Sequence, residues 1–385
     1  MNLKSLVLSS DEKIVRVLRR TLSDLDISVE HCNDPEAALR KLTRDRFEAI
    51  IVDCVDARST DVLSSVRRAP CNKRAVAVAI LDPAIGLRFA FSTGAHFVLY
   101  KPVSGERAKV SFRAARALMK RERRRNSRVS VQIPVEISKH DSDTHFKVNT
   151  VDLSEGGLAV KLPRRTKPTG NWQASFTLPG SSTPLQTKVE FAWEGSGPQA
   201  GLRFVDLPPE NARLLREWLQ RNSPEAERDD PPVRSQLTDL SLGGCYLEIP
   251  SPFPVGTHVT LSMKAAGNEL RAEGVVRIMH PDKGMGVEFT QTTPEHRTSL
   301  EKFLGVLTEN RELLPELLVE PDALEPEDST SSRSASESKA QIDDPLLQLF
   351  HSETSLSPEA FERELRKQRG TPGNGPGAAA AHASA

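Results

Sequence analysis

The hydrophobic and polar positions change their period three times along the chain. In the first third, Leu6-Val7-Leu8 is a short apolar run, after which Ile14, Leu18 and Leu22 recur at i+4 and mark one helix face. Ile27 to Cys32 reads as a second strand, and Asn33-Asp34-Pro35 opens a helix with proline in its first turn. Ala49-Ile50-Ile51-Val52, Ala75 to Ile80 and Phe97 to Tyr100 supply three more apolar strands with helical segments between them. Near-continuous apolar strands, each followed by a helix, predict a doubly wound parallel sheet, whose site lies beyond the C-terminal strand ends. Asp53 stands at one such end and Lys101-Pro102 at another.

From Gly105 to Arg125 the period is helical. Val110, Ala114, Ala117 and Leu118 form the apolar stripe, and Arg113, Arg116, Lys120 and Arg121 are expected to face water. The basic run Arg123-Arg124-Arg125 leads to Arg128, and then the period drops to two: Val129, Val131, Ile133, Val135 and Ile137. Read alone, the arginines are a solvated helix end or a nucleic-acid patch. Their position makes them the lead-in to a β domain.

That β domain occurs twice. Thr150-Val151-Asp152-Leu153-Ser154 returns as Leu237-Thr238-Asp239-Leu240-Ser241, and Gly201-Leu202-Arg203-Phe204 returns as Gly286-Val287-Glu288-Phe289. Pro209-Glu210, opening a helix through Leu214, Leu215 and Trp218, returns as Pro294-Glu295 before Leu300, Phe303 and Leu304. The offset stays at about 85–87 residues, the mark of a repeated unit. Many short strands with Gly/Pro turns, closed by one helix, predict small antiparallel barrels.

Composition narrows the function. The 385 residues carry 52 basic and 52 acidic side chains, and this balance argues against a general nucleic-acid binder. Cys32, Cys54, Cys71 and Cys245 lack metal-ligand or disulfide spacing and read as reduced thiols. Neither a signal peptide nor an apolar run long enough to span a membrane is visible, so a cytoplasmic protein is expected. No nucleophile–histidine pairing, P-loop or metal cluster is recognisable. A receptor or adaptor is expected, not an enzyme, with no cofactor and no metal.

The chemistry concentrates at Arg124 to Arg128 and at Asp152-Leu153-Ser154-Glu155-Gly156-Gly157. Arginine forks grip phosphate and the O6/N7 edge of guanine, and Asp, Ser and close glycine backbone supply the complementary acceptors and donors. Such a set suits a small anionic guanine nucleotide. Here the sequence resembles the PilZ family, which pairs an RxxxR segment with a following [D/N]xSxxG motif. The resemblance implies cyclic di-GMP as ligand, bound by Arg124, Arg128, Asp152, Ser154 and Gly157. The second copy has Asp239, Ser241 and Gly244, but no RxxxR and no first-strand pattern upstream. As DxSxxG is also a turn requirement, copy two is expected to bind no nucleotide. Its open barrel edge is expected to seek a partner strand, on copy one or in a homodimer.

Residues 1–118 resemble the response-regulator receiver domain. The resemblance places a phosphoacceptor at Asp53 and the family's lysine at Lys101, with Gly94-Ala95 before the fifth strand also fitting. The family's Mg²⁺-holding acidic pair is replaced by Ser9 and Ser10, with Asp11 just after and Ser10 a candidate cap for the first helix. Ala79 aligns with the switch Ser/Thr at the end of strand four, and Val98 with the switch aromatic. A pseudo-receiver serving dimerisation or docking is therefore expected. The chain thus divides into 1–118 receiver-like, 119–222 PilZ, 223–308 PilZ-like without RxxxR, and 309–385, an acidic low-complexity tail expected to be disordered. Within that tail, Leu346-Leu347-Gln348-Leu349-Phe350 and Ser357 to Glu362 read as a partner-binding helix or as loose chain. The downstream partner is not legible. The alternative to a nucleotide receptor is a scaffold that acts through domain contacts alone.

Overall fold

A computed structural model describes residues 3–66, 68–69, 71–139, 145–162, 172–194, 199–223, 230–290, 293–310, 314–324, 344–352, 361 and 363–365. Those within Asn2–Glu122 and Asp229–Ala385 form one compact unit, and those within Arg123–Arg228 form another.

The N-terminal part of the larger unit alternates strand and helix as expected: β1 (Leu3–Leu8), α1 (Glu12–Ser23), β2 (Ile27–Cys32), α2 (Pro35–Arg44), β3 (Ala49–Asp53), α3 (Ala57–Val66), β4 (Val76–Leu81), α4 (Leu87–Ser92), β5 (Phe97–Tyr100) and α5 (Gly105–Asn126). All pairings are parallel and the order is β2-β1-β3-β4-β5, the flavodoxin-like doubly wound arrangement. Every residue of β3 and β4 is buried, because helices cover both faces. Alternation sorts the side chains: Ile51 packs with Leu18 and Phe112, while Ile50 and Val52 pack with Leu42 and Leu63. Asp34 caps α2 by accepting from the Ala37 N–H at 2.8 Å. The cap of α1 is Asp11, which accepts from Lys13 N–H, and not Ser10 as its position suggested. A carboxylate one residue nearer the helix competes better for those donors.

The smaller unit is the first barrel. It comprises β6 (Val129–Ser130), β7 (Pro134–Lys139), β8 (His145–Ser154), β9 (Gly157–Lys161), β10 (Trp172–Thr177), β11 (Pro184–Glu194), β12 (Gln199–Asp206) and α6 (Pro209–Asn222). The strands run β8-β7-β10-β11-β12-β9, and β9 pairs back to β8, closing the ring; β6 adds outside on β8. Val135, Ile137, Phe176, Leu185 and Leu202 fill the interior, and Leu215, Trp218 and Leu219 of α6 pack against them. The Trp218 indole N–H donates to the Pro179 carbonyl at 3.0 Å, satisfying its one polar atom.

The second barrel holds β13 (Val233–Leu240), β14 (Gly244–Glu248), β15 (Thr257–Ala265), β16 (Asn268–His280), β17 (Gly284–Phe289), α7 (Pro294–Glu309) and β18 (Glu316–Leu324), followed by α8 (Pro345–Ser352). Its ring is β13-β14-β17-β16-β15-β18. The expected open edge is absent from this ring. The missing first strand is replaced by β18, which comes from the segment assigned to the tail and sits between β13 and β15, as β7 sits between β8 and β10. The register is kept as well. Val135 and Ile137 face Phe176 and Ala174, while Leu317 and Val319 face Met263 and Leu261, the repeat equivalents. Leu317 and Val319 are fully buried, so the edge that would otherwise recruit another chain is sealed by this one. The second barrel is a circular permutation of the first, its first strand moved behind the closing helix.

α5 also corrects the sequence reading. Arg113 is exposed, but Arg116 and Lys120 both bind Asp230, at 3.0 and 2.9 Å, and Arg121 is buried with its Nε and Nη2 on Asp322, at 3.1 and 2.7 Å from Oδ1. The Glu122 carboxylate accepts from the Leu324 N–H at 3.1 Å. Apart from Arg113, the polar face expected to meet water meets Asp230, just before β13, and Asp322, within β18. The apolar stripe of α5 belongs to a hydrophobic cluster that continues into the second barrel through Leu240, Leu261 and Val287. The ion pairs around Asp230 lie partly buried, so Asp230→Ala would remove the carboxylate that Arg116 and Lys120 share and leave Arg116 its longer contact to Asp26. We expect a loss of about 1–3 kcal/mol in the larger unit by thermal unfolding, against a change within about 0.5 kcal/mol for Asp61→Ala on the exposed face of α3.

Candidate functional site

The first barrel's motif sits at the two-residue turn between β8 and β9, where Ser154 pairs with Gly157. The Ser154 hydroxyl donates to the Gly157 carbonyl at 3.0 Å, so this serine first serves the turn. A side chain at Gly157 would collide with the Leu202 carbonyl of β12, which is why the position is glycine. Gly156 is different: a Cβ there meets nothing within 4 Å. The backbone beside the motif is open to an incoming group.

β6 brings the arginine segment to this turn by pairing Val129 with Leu153 and Ser130 with Asp152. Arg128 then reaches Asp152, with Nη1 at 2.6 Å from Oδ1. Both side chains retain access to solvent, 44% and 22% respectively. A half-exposed fork held by a carboxylate is preset for a planar anionic partner at small entropic cost. Arg124 lies in the last turn of α5, where the Ser127 N–H donates to its carbonyl at 2.9 Å. The structure therefore pairs Arg128 with Asp152, two residues before the Ser154–Gly157 turn, and puts Arg124 in the last turn of α5, four residues before Arg128. Trp193, which the sequence reading passed over, stands on β11 against Gly201 with 42% of its surface exposed.

The same turn in the second barrel carries the same serine–glycine bond, with the Ser241 hydroxyl donating to the Gly244 carbonyl at 3.2 Å, and here that hydroxyl also accepts from the Gly244 N–H at 3.1 Å. Its outer face is not open. A side chain at Gly243, the equivalent of Gly156, would collide with Leu347 of α8.

In the N-terminal sheet, Asp53 is buried at the end of β3. Lys101 Nζ lies 2.6 Å from its Oδ1, and the Ser9 hydroxyl donates to its Oδ2 at 2.9 Å. Asp11 is committed to the α1 cap. A hard divalent cation needs several carboxylate oxygens here, and one engaged aspartate with serine and lysine on its two oxygens does not offer them. Ala79 is buried within β4, short of its end at Leu81, and supplies no hydroxyl; Val98 lies on β5. Cys54, next to Asp53, is a buried thiol whose pKa is pushed up to about 11 by desolvation, so it is no nucleophile at neutral pH. Among the described residues no cluster of three or more His, Cys, Asp or Glu is placed to hold a metal, and no helix is long and apolar enough to cross a membrane.

No curated protein matches this chain. Among solved structures, a chemotaxis response regulator of Vibrio cholerae is similar at 22% identity, over 30% of this chain and 99% of that one, with a TM-score of 0.28. A CheY-like receiver domain protein of Methanospirillum hungatei is similar at 16% identity, over 32% of this chain and 99% of that one, with a TM-score of 0.29. The PilZ domain of CeSA from a cellulose-synthesizing bacterium is similar at 23% identity, over 24% of this chain and 95% of that one, with a TM-score of 0.21. The PilZ domain family model matches twice, over residues 122–221 and 222–305, one match for each barrel and the second ending before the strand that closes it.

Proposed function

We propose that the protein is a signalling receptor that binds cyclic di-GMP on its first PilZ-type barrel. PilZ domains generally bind this dinucleotide, and the observation that carries the reading is the Arg128–Asp152 pair beside the open face of Gly156. In this reading the Arg128 fork takes a guanine edge or a phosphate, and Arg124 supplies the second clamp. Asp152 orients Arg128, and the Gly156-Gly157 backbone lets the ligand approach the strand end. Ligand and protein make only non-covalent contacts. Arg124 shares a helix with Arg121 and Glu122, whose partners are Asp322 and Leu324, so ordering of the arginine segment has a continuous element along which to act. Isothermal titration of the intact protein with cyclic di-GMP tests the reading. Saturable binding is expected; no heat at micromolar protein would leave the scaffold reading in its place.

For the N-terminal sheet we propose a receiver-type domain that has given up phosphotransfer. Its aspartate is held by Lys101 and Ser9, and the missing acids remove the metal that would neutralise developing charge. With Mg²⁺ and a small phosphodonor, intact-mass measurement should show little stable phosphorylation. Robust labelling that disappears in Asp53→Asn would contradict this.

A further inference from the structure

We infer that the motif face of the second barrel is a receptor site for a short amphipathic helix headed by an acid, and that the chain's own segment from Asp344 onward is its occupant. Three glycines form the seat. A side chain at Gly243 would run into Leu347 of α8, one at Gly244 would lie 3.3 Å from the same leucine, and one at Gly286 would lie 2.7 Å from the Phe350 ring. Polar recognition comes from Asp344. Its Oδ2 accepts from the Gly243 N–H at 3.0 Å, while its Oδ1 caps α8 through the Leu346 N–H at 3.0 Å. One carboxylate thus fixes both the helix start and its docking point. Leu346, Leu347, Leu349 and Phe350 are all buried, and Phe361 adds a ring 4.7 Å from that of His280 and 5.4 Å from that of Tyr246.

The comparison between barrels gives this contact its meaning. Gly156 and Gly243 occupy the same place in the repeat, one facing open space and the other covered by a leucine, with an aspartate bound to its N–H. An anionic group on the turn N–H and a flat ring over a strand glycine are what the tail supplies to the second barrel. The helix-in-groove mode, read through apolar anchors at i, i+1, i+3 and i+4, describes the contact. The covered face is therefore closed to any other ligand while the tail is seated. A competing partner must present the same pattern: an acid, then closely spaced large apolar residues on a helix. This contact needs no nucleotide on the first barrel.

The test uses the full chain and a labelled peptide of residues 342–365. Tethering gives the resident segment an effective concentration of order millimolar, so the wild-type chain should bind the free peptide at least about tenfold more weakly than a Leu347→Asp/Phe350→Asp chain does. Adding Gly243→Leu to that double variant should abolish binding again. Equal binding by wild type and double variant, or binding by neither, overturns the inference. In parallel, a protease site placed between Leu324 and Asp344 in an otherwise wild-type chain allows cleavage after folding. The released C-terminal fragment should co-elute with the body on gel filtration; a fragment that leaves freely overturns the inference without relying on any substitution in α8.

Discussion

A chain ending at Asn310 should lose the fold of its second barrel while the first barrel stays intact. The truncation removes β18, and with it the strand that hydrogen-bonds to β13 on one side and β15 on the other. It uncovers Leu261 and Met263 and leaves two sheet edges where the intact ring has none. Loss of one cooperative transition and concentration-dependent association are expected in calorimetry and gel filtration. Ending the chain after Leu324 should spare the barrel. A milder version is Leu317→Ala, which empties a fully buried position and should cost about 2–5 kcal/mol. In a unit of this size that lowers the melting temperature by about 2–4 °C per kcal/mol. Leu314→Ala, at a residue 72% exposed, should change nothing measurable.

The second large effect is on the ligand. Arg128→Ala should weaken cyclic di-GMP binding at least about tenfold. A charge-assisted, bidentate contact carries on the order of 1.5–3 kcal/mol, and about 1.4 kcal/mol is one decade in affinity. The substitution also strands Asp152 as an unpartnered anion facing an anionic ligand. Arg128→Lys should fall between the two, because it keeps the charge and loses the planar fork. Arg124→Ala should weaken binding by a similar factor, as should Asp152→Ala, which frees Arg128 from its held rotamer. Asp239→Ala in the second barrel should leave the affinity unchanged. A double Arg124→Ala/Arg128→Ala variant that still binds like wild type would sink the pocket assignment.

Much of the fold was legible because it is written locally. The strands Ile27–Cys32 and Phe97–Tyr100 appear where their apolar runs place them, and Asp34-Pro35 opens α2 through a cap that needs only nearby atoms. The repeat was legible for a related reason: a constant offset reports two copies of one packing solution. The strand β18 was not. Its sequence, Glu316 to Leu324, mixes Leu317 and Val319 with Glu320, Pro321 and Asp322, and a composition reading groups it with the acidic tail that follows. Only the ring of β13 and β15 supplies the vacancy that makes those two residues core. The same holds for Arg121: its helix phase suggested water, whereas a carboxylate from a distant stretch of chain buries it. At the site, the DxSxxG turn and the arginines could be named from their resemblance to the PilZ motifs. The difference between an open Gly156 and a covered Gly243 could not, because what covers Gly243 lies a hundred residues further along the chain.

Hydrogen–deuterium exchange on the intact protein with and without cyclic di-GMP puts the central claim to its most direct test, since amide protection reports local opening segment by segment. The account predicts added protection from about Leu118 through Val131 and across Asp152 to Gly157, with Asp239 to Gly244 unchanged beneath α8. Protection at Asp239 to Gly244 in place of the first barrel, or no change at either turn, would contradict it.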